Sequence, residues 1–215
     1  MAISQIRLRL AGWLSIANIL FFPLFYYIST RDIISQQEQS IININLFTEI
    51  ISFALFVFLF LSFNHLLKTN FKFHKLTKLI YSLISLKLFG LLLSLSLYFF
   101  ENLIFTKYAA FIISFSAGII YAFLGFNLLK LNVNLYGMGK ILSSTIIING
   151  FWFAFFSLSV YCNRLVDYQL TTMAVCQKVV IGSAFAVIIR LVVYIMLAIV
   201  FFKASRKNTL VTVES

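Results

Sequence analysis

Arg190 lies near the centre of 179–202, a run of 24 residues that is otherwise apolar or small. At 1.5 Å per residue such a helix is about 36 Å long and exceeds the roughly 30 Å hydrocarbon core of a bilayer, which puts the guanidinium near mid-membrane. An arginine there costs roughly 2.5 to 3.5 kcal/mol on insertion, and intramembrane charges are kept for a partner, a pathway or a ligand. Steps of four place Gly182, Ala186, Arg190, Tyr194 and Ala198 on one stripe, which faces protein while Val, Ile, Leu and Phe face lipid. Asn149 and Asn18, from two other apolar runs, fall at a similar depth, and Glu101 is the acid within closest reach of Arg190 if drawn inward. Two chemistries fit Arg190, Tyr194, Asn149, Asn18 and Glu101. The cluster is either a structural knot of arginine, amides and carbonyls that holds helices in register, or a site where Arg190 holds an anionic group such as a lipid headgroup or a small organic anion.

Other chemistry has little to work with. His65 and His74 are nine apart in a basic segment with no acid beside them, so a metal centre is not expected, nor any cofactor. There is no His-Glu-x-x-His, no Gly-x-Ser-x-Gly and no Asp-rich phosphate motif. Gly137-Met-Gly-Lys140 lacks the preceding strand and the spacing of a phosphate loop. The chain therefore reads as a protein that is not an enzyme. Its two cysteines, Cys162 and Cys176, bracket the last extramembrane loop, where an external disulfide is open to them; the alternative is two small apolar residues at helix ends.

The elements that must position these residues follow from composition. Hydrophobic residues make up 62% of the 215, Phe alone accounts for 26, charged residues for 11%, and the mean hydropathy is +1.01. A soluble domain of this size does not look like this. The expectation is an all-α, polytopic transmembrane bundle forming a single domain, with six spans at about 10–28, 46–67, 79–100, 108–129, 141–161 and 179–202 and a short basic tail at 203–215. Pro23 should kink the first span modestly. The third span carries Lys87 only 13 residues before Glu101, about 20 Å of helix, so one of the two charges must snorkel; Lys87 is expected to reach back toward the N-terminal end of its helix.

Charge sets the orientation. Eleven Lys and Arg fall on the side of the N-terminus, against four (Arg31, Lys107, Arg164 and Lys178) on the other, which also takes five of the six acids. By the positive-inside rule both termini are cytoplasmic, and the formal net charge of +11 reports topology, with no nucleic acid implied. Lys68, Lys72, Lys75 and Lys78 form the most basic segment: a basic hairpin, or, from their near-helical spacing, a helix lying on anionic headgroups. In the fourth span Ala110, Ser114, Gly118 and Ala122 recur every four residues, a pattern that lets another helix approach closely.

Leu8-Arg-Leu-Ala-Gly-Trp-Leu14, Phe71-Lys-Phe-His74 and Leu135-Tyr-Gly137 together resemble small multi-spanning proteins of bacterial inner membranes, a group that brings no function with it. The resemblance implies a bacterial cytoplasmic membrane, with lipids, anionic ones included, a protein partner or a second copy as companions. Three functions stay open: an accessory or assembly component of that membrane, which is the first expectation; a small transporter or lipid-handling protein with an anion site at Arg190; and a membrane-embedded enzyme.

Overall fold

A computed structural model of the chain describes residues 2–31, 40–99, 104–130, 135–167 and 188–206, with side chains over 4–21, 47–96, 109, 111–130, 135–155 and 188–206. Six helices account for nearly all of them: α1 (Ala2–Arg31), α2 (Ser40–Phe71), α3 (Thr77–Phe99), α4 (Ile104–Lys130), α5 (Gly139–Asp167) and α6 (Ile188–Arg206). Among the described residues there is no strand. Long Leu, Ile and Phe runs choose helix because a helix satisfies every backbone polar group within itself, a requirement in an apolar solvent. Four segments, Phe47–Phe71, Thr77–Ser96, Phe111–Lys130 and Ile188–Arg206, are long and apolar enough to cross a membrane. The first helix runs through Pro23 without a break.

Successive helices pack on one another, α1 on α2, α2 on α3, α3 on α4 and α4 on α5. The sixth closes the bundle. Phe202 of α6 meets the Trp13 ring of α1 edge-on at 5.5 Å, and Arg190 lies over Phe153 of α5. Fully buried side chains gather where α1, α3 and α5 begin and α2, α4 and α6 end: Leu8, Phe63, Leu66, Leu83, Leu128 and Phe201 among them. This is also the basic end. Arg7 Nε donates to Ser62 Oγ at 3.3 Å and Arg9 Nε to Ser205 Oγ at 3.1 Å, tying α1 to α2 and α6.

The basic segment is a hairpin connection, which corrects the helix that its lysine spacing allowed. Only Lys68 lies in the last turn of α2; Lys72 and Lys75 are in the link, and Lys78 is on α3. Lys72 adopts a left-handed conformation, φ 57°, which ends α2 and lets Phe73 N–H donate to the Leu67 carbonyl at 3.0 Å. A second tight turn, Leu135–Gly137, leads into α5, and its Tyr136 joins three elements: Asn70 Nδ2 donates to the Tyr136 hydroxyl at 2.8 Å, Lys203 Nζ donates to the Tyr136 carbonyl at 3.2 Å, and the Phe71 ring stacks edge-on at 5.5 Å. Lys72, Lys75 and Lys78 stay exposed on this end.

Two helices approach unusually closely. A Cβ on Gly150 of α5 would lie 2.5 Å from the Ala122 nitrogen and 2.6 Å from the Gly118 oxygen; one on Gly118 would lie 2.6 Å from the Ala154 nitrogen and 2.7 Å from the Gly150 oxygen. Each glycine thus faces its partner's backbone, a geometry in which Cα–H groups point at carbonyls. Of the expected small-residue stripe, Gly118 and Ala122 make this contact, Ser114 turns to a cavity instead, and the Ala110 side chain lies outside the described residues. Gly125 extends the seam by meeting the backbone of Ser143 and Ile147.

Candidate intramembrane polar cavity

Past the buried end, midway along the helices, lies a cavity of about 100 Å³ between α2, α3, α4, α5 and α6. Its polar lining comprises Arg190 and Tyr194 of α6, Lys87 of α3, Tyr121 and Ser114 of α4, and Ser52 of α2. Helical periodicity delivers each set: Arg190 and Tyr194 are one turn apart, and Leu83, Leu86, Lys87 and Gly90 form a stripe along α3. Ser114, Ala117 and Tyr121 do the same on α4.

The floor is aromatic. Tyr121 packs edge-on against Phe56 at 6.4 Å, Phe60 at 5.8 Å and Phe153 at 6.2 Å, and this cluster separates the cavity from the core at the basic end. The Arg190 guanidinium carbon stands 4.7 Å from the Phe153 ring centroid, a cation–π arrangement that holds the charge in place. Tyr194 is buried, and Arg190 is half-buried. Both Arg190 and Glu49 lie within electrostatic range of Lys87. Two cations thus converge on one small volume with hydroxyl groups around it.

Of the residues expected in an intramembrane polar site, the structure brings Arg190 and Tyr194 together at the cavity. Asn149 and Asn18 are buried, each 3% exposed, but neither lines it, and among the described residues none of α1 is in its wall. The Asn18 Nδ2 has no hydrogen-bond partner among the described residues. Glu101 and Cys176 lie outside the described residues, and of Cys162 only the backbone, in α5, is described. Lys87 departs from expectation. It lines the same cavity as Arg190, together with Leu83 and Leu86 on the N-terminal side of it on α3. Its signal was in the sequence, in the impossibility of placing both Lys87 and Glu101 outside the apolar core; that it shares a cavity with Arg190 was not. Tyr121, Ser52 and Phe153 gave no signal at all.

No three His, Cys, Asp or Glu side chains among the described residues come together in a way that could hold a metal ion. What the cavity offers is positive charge, hydroxyl donors and a ring beneath the guanidinium, the donor set of an anion receptor. Comparison of the chain with protein-family models, with curated proteins and with solved structures finds no match.

Proposed function

We propose that the protein is an integral membrane protein that binds an anionic group inside the bilayer, as a small transporter or lipid-handling protein does, with Arg190 and Lys87 as the binding cations. One observation supports this reading above the others: Arg190, Lys87, Tyr121 and Tyr194 surround a single cavity at mid-helix. Like charges in an apolar medium repel and each must be desolvated, and Lys87 lies within electrostatic range of Arg190 as well as of Glu49. An anion between them reverses that balance. Among the described residues the cavity supplies no nucleophile paired with a base, and no catalytic step is assigned to it.

The test uses purified protein in a neutral detergent, titrated with dodecyl phosphate below its micelle concentration and followed by thermal unfolding. Wild type is stabilised as the ligand rises. Arg190→Gln weakens the apparent affinity at least tenfold, and Arg164→Gln leaves it unchanged. A response equal in all three proteins removes the site. A protein that copurifies in stoichiometric amount, with no anion response, would return the reading to an accessory or assembly component.

The proposal includes the orientation: six spans in a bacterial cytoplasmic membrane, both termini cytoplasmic, the basic end of the bundle against the anionic inner leaflet. The charge bias along the chain supports it, and so does the alternation of helix directions that sends Arg7, Lys78 and Arg206 to one end. Topology reporters fused at residues 38 and 170 should read outside, and those at residues 72, 135 and the C-terminus inside. An inside reading at residue 38 overturns the six-span arrangement.

A further inference from the structure

Burial changes along the bundle in the same way on four helices. The face of α3 that meets its neighbours carries Leu76, Ile80, Leu83 and then Lys87, at steps of four, three and four. The first three are at most 1% exposed; Lys87, next on the same face, is exposed. On α2 the inward stripe runs Leu66, Phe63, Leu59, Phe56, Ser52 and Glu49: four buried residues, then a half-buried one, then an exposed one. On α4 Leu128 and Leu124 are buried, and Tyr121, Ala117 and Ser114 half-buried; on α6 Phe201, Leu197 and Tyr194 are buried, and Arg190 half-buried. Each stripe turns polar near the level where its burial falls off. This is not the exposure of a lipid-facing surface, because Ser82, Ser85, Phe89 and Leu92 occupy the opposite face of α3 and are exposed there. It belongs to the space between the helices.

Physical chemistry decides what fills that space. An ammonium or carboxylate left uncovered at membrane depth is costly in hydrocarbon, and such groups face water or a partner. Lys87 and Glu49 lie within electrostatic range of each other, yet both stay exposed. Toward the basic end the space is closed. Tyr121 packs edge-on against Phe56, Phe60 and Phe153, and beyond that cluster Leu59, Ile80 and Leu124 are fully buried. We infer that the inward faces of α2, α3, α4 and α6 line a water-filled vestibule, open at the end of the bundle opposite the basic one and stopped by the Tyr121 cluster, through which a small water-soluble anion reaches Lys87. The vestibule rests on the burial pattern alone; the charge of its solute rests on the anion-site reading and narrows it to a soluble ligand, not a lipid. A water-filled cleft with two cations in its wall concentrates anions over cations through the field alone, whatever bonds those cations already make.

Cysteine accessibility tests this in the full chain, in sealed membrane vesicles, with Cys162 and Cys176 replaced by serine. Single cysteines replace Ser52 and Ser114 on the vestibule wall, Leu59 beyond its floor, Phe89 on the lipid face and Lys72 at the basic end. Membrane-impermeant methanethiosulfonates react with the thiolate, which forms in water and not in hydrocarbon. Ser52→Cys and Ser114→Cys each change a single atom, and labelling in denaturant normalises every rate. Both should label at least tenfold faster than Leu59→Cys and Phe89→Cys, and from the side opposite to Lys72→Cys. At Ser52→Cys the anionic reagent should outpace the cationic one at least tenfold, and adding Lys87→Gln should cut that ratio at least threefold. Wall cysteines as slow as Phe89→Cys, or labelled from the same side as Lys72→Cys, overturn the vestibule. Fast labelling from the expected side at equal rates with both reagents keeps the vestibule and overturns the anion as its solute, and the anion-site reading with it.

Discussion

Gly150→Ala should destabilise the protein by more than about 3 kcal/mol, whereas Gly90→Ala should be neutral or stabilising by up to about 1 kcal/mol. The two substitutions are the same on paper, each replacing a glycine by the strongest helix former, and intrinsic propensity favours both by nearly 1 kcal/mol. Packing reverses the sign at Gly150. The added methyl would stand 2.5 Å from the Ala122 nitrogen, 2.6 Å from the Gly118 oxygen and 3.0 Å from the Ala122 Cα, all of them backbone atoms that cannot rotate away. The helices α4 and α5 must then separate, and the loss extends to Gly118 against Ala154 and Gly125 against Ile147 on the same seam. At Gly90 the methyl meets one side-chain methyl at ordinary contact distance. Unfolding in a mild detergent, by heat or by a denaturing detergent, reads both variants. Equal stabilisation of the two would show that α4 and α5 do not cross at this distance.

Lys87→Met should move two readouts in opposite directions. Without ligand the variant should be at least as stable as wild type, because a cation beside Arg190 and its repulsion from it are removed while the volume is nearly kept. Its affinity for dodecyl phosphate should fall by roughly 30-fold, since truncating one partner of a desolvated charge pair costs about 2 kcal/mol or more. This opposition separates a ligand-binding lysine from a structural one. If Lys87 held the fold together through Glu49, its loss would lower the ligand-free unfolding temperature, and the change in affinity would be small. A variant that is both less stable and unimpaired in binding would take Lys87 out of the site.

Helicity, the apolar stretches long enough to cross a membrane and the concentration of positive charge at one end are all local properties of the chain. Hydropathy and the positions of Lys and Arg express them directly, because the cost of an exposed peptide group or a charge in hydrocarbon is paid residue by residue. Arg190 and Tyr194 were legible for the same reason, as was the contact made by Gly118 and Ala122, whose spacing marks a helix face whatever lies opposite. Only the tertiary structure decided what does lie opposite. It placed Lys87 beside Arg190, sent Ser114 to the cavity and not to the seam, and kept Asn18 and Asn149 away from a site whose depth they share. It also distinguished Gly150, pressed against backbone, from Gly90, where a Cβ would meet one side-chain methyl at ordinary contact distance. The physical reason is that lipid tails are as apolar as a leucine surface, so hydrophobicity fixes which residues enter the membrane but exerts almost no force on how each helix turns about its axis. Those rotations are set by steric fit between neighbours, here by the close approach of α4 and α5 and by the Tyr136 junction at the basic end, and fit is a property of pairs of helices that no single stretch of sequence contains.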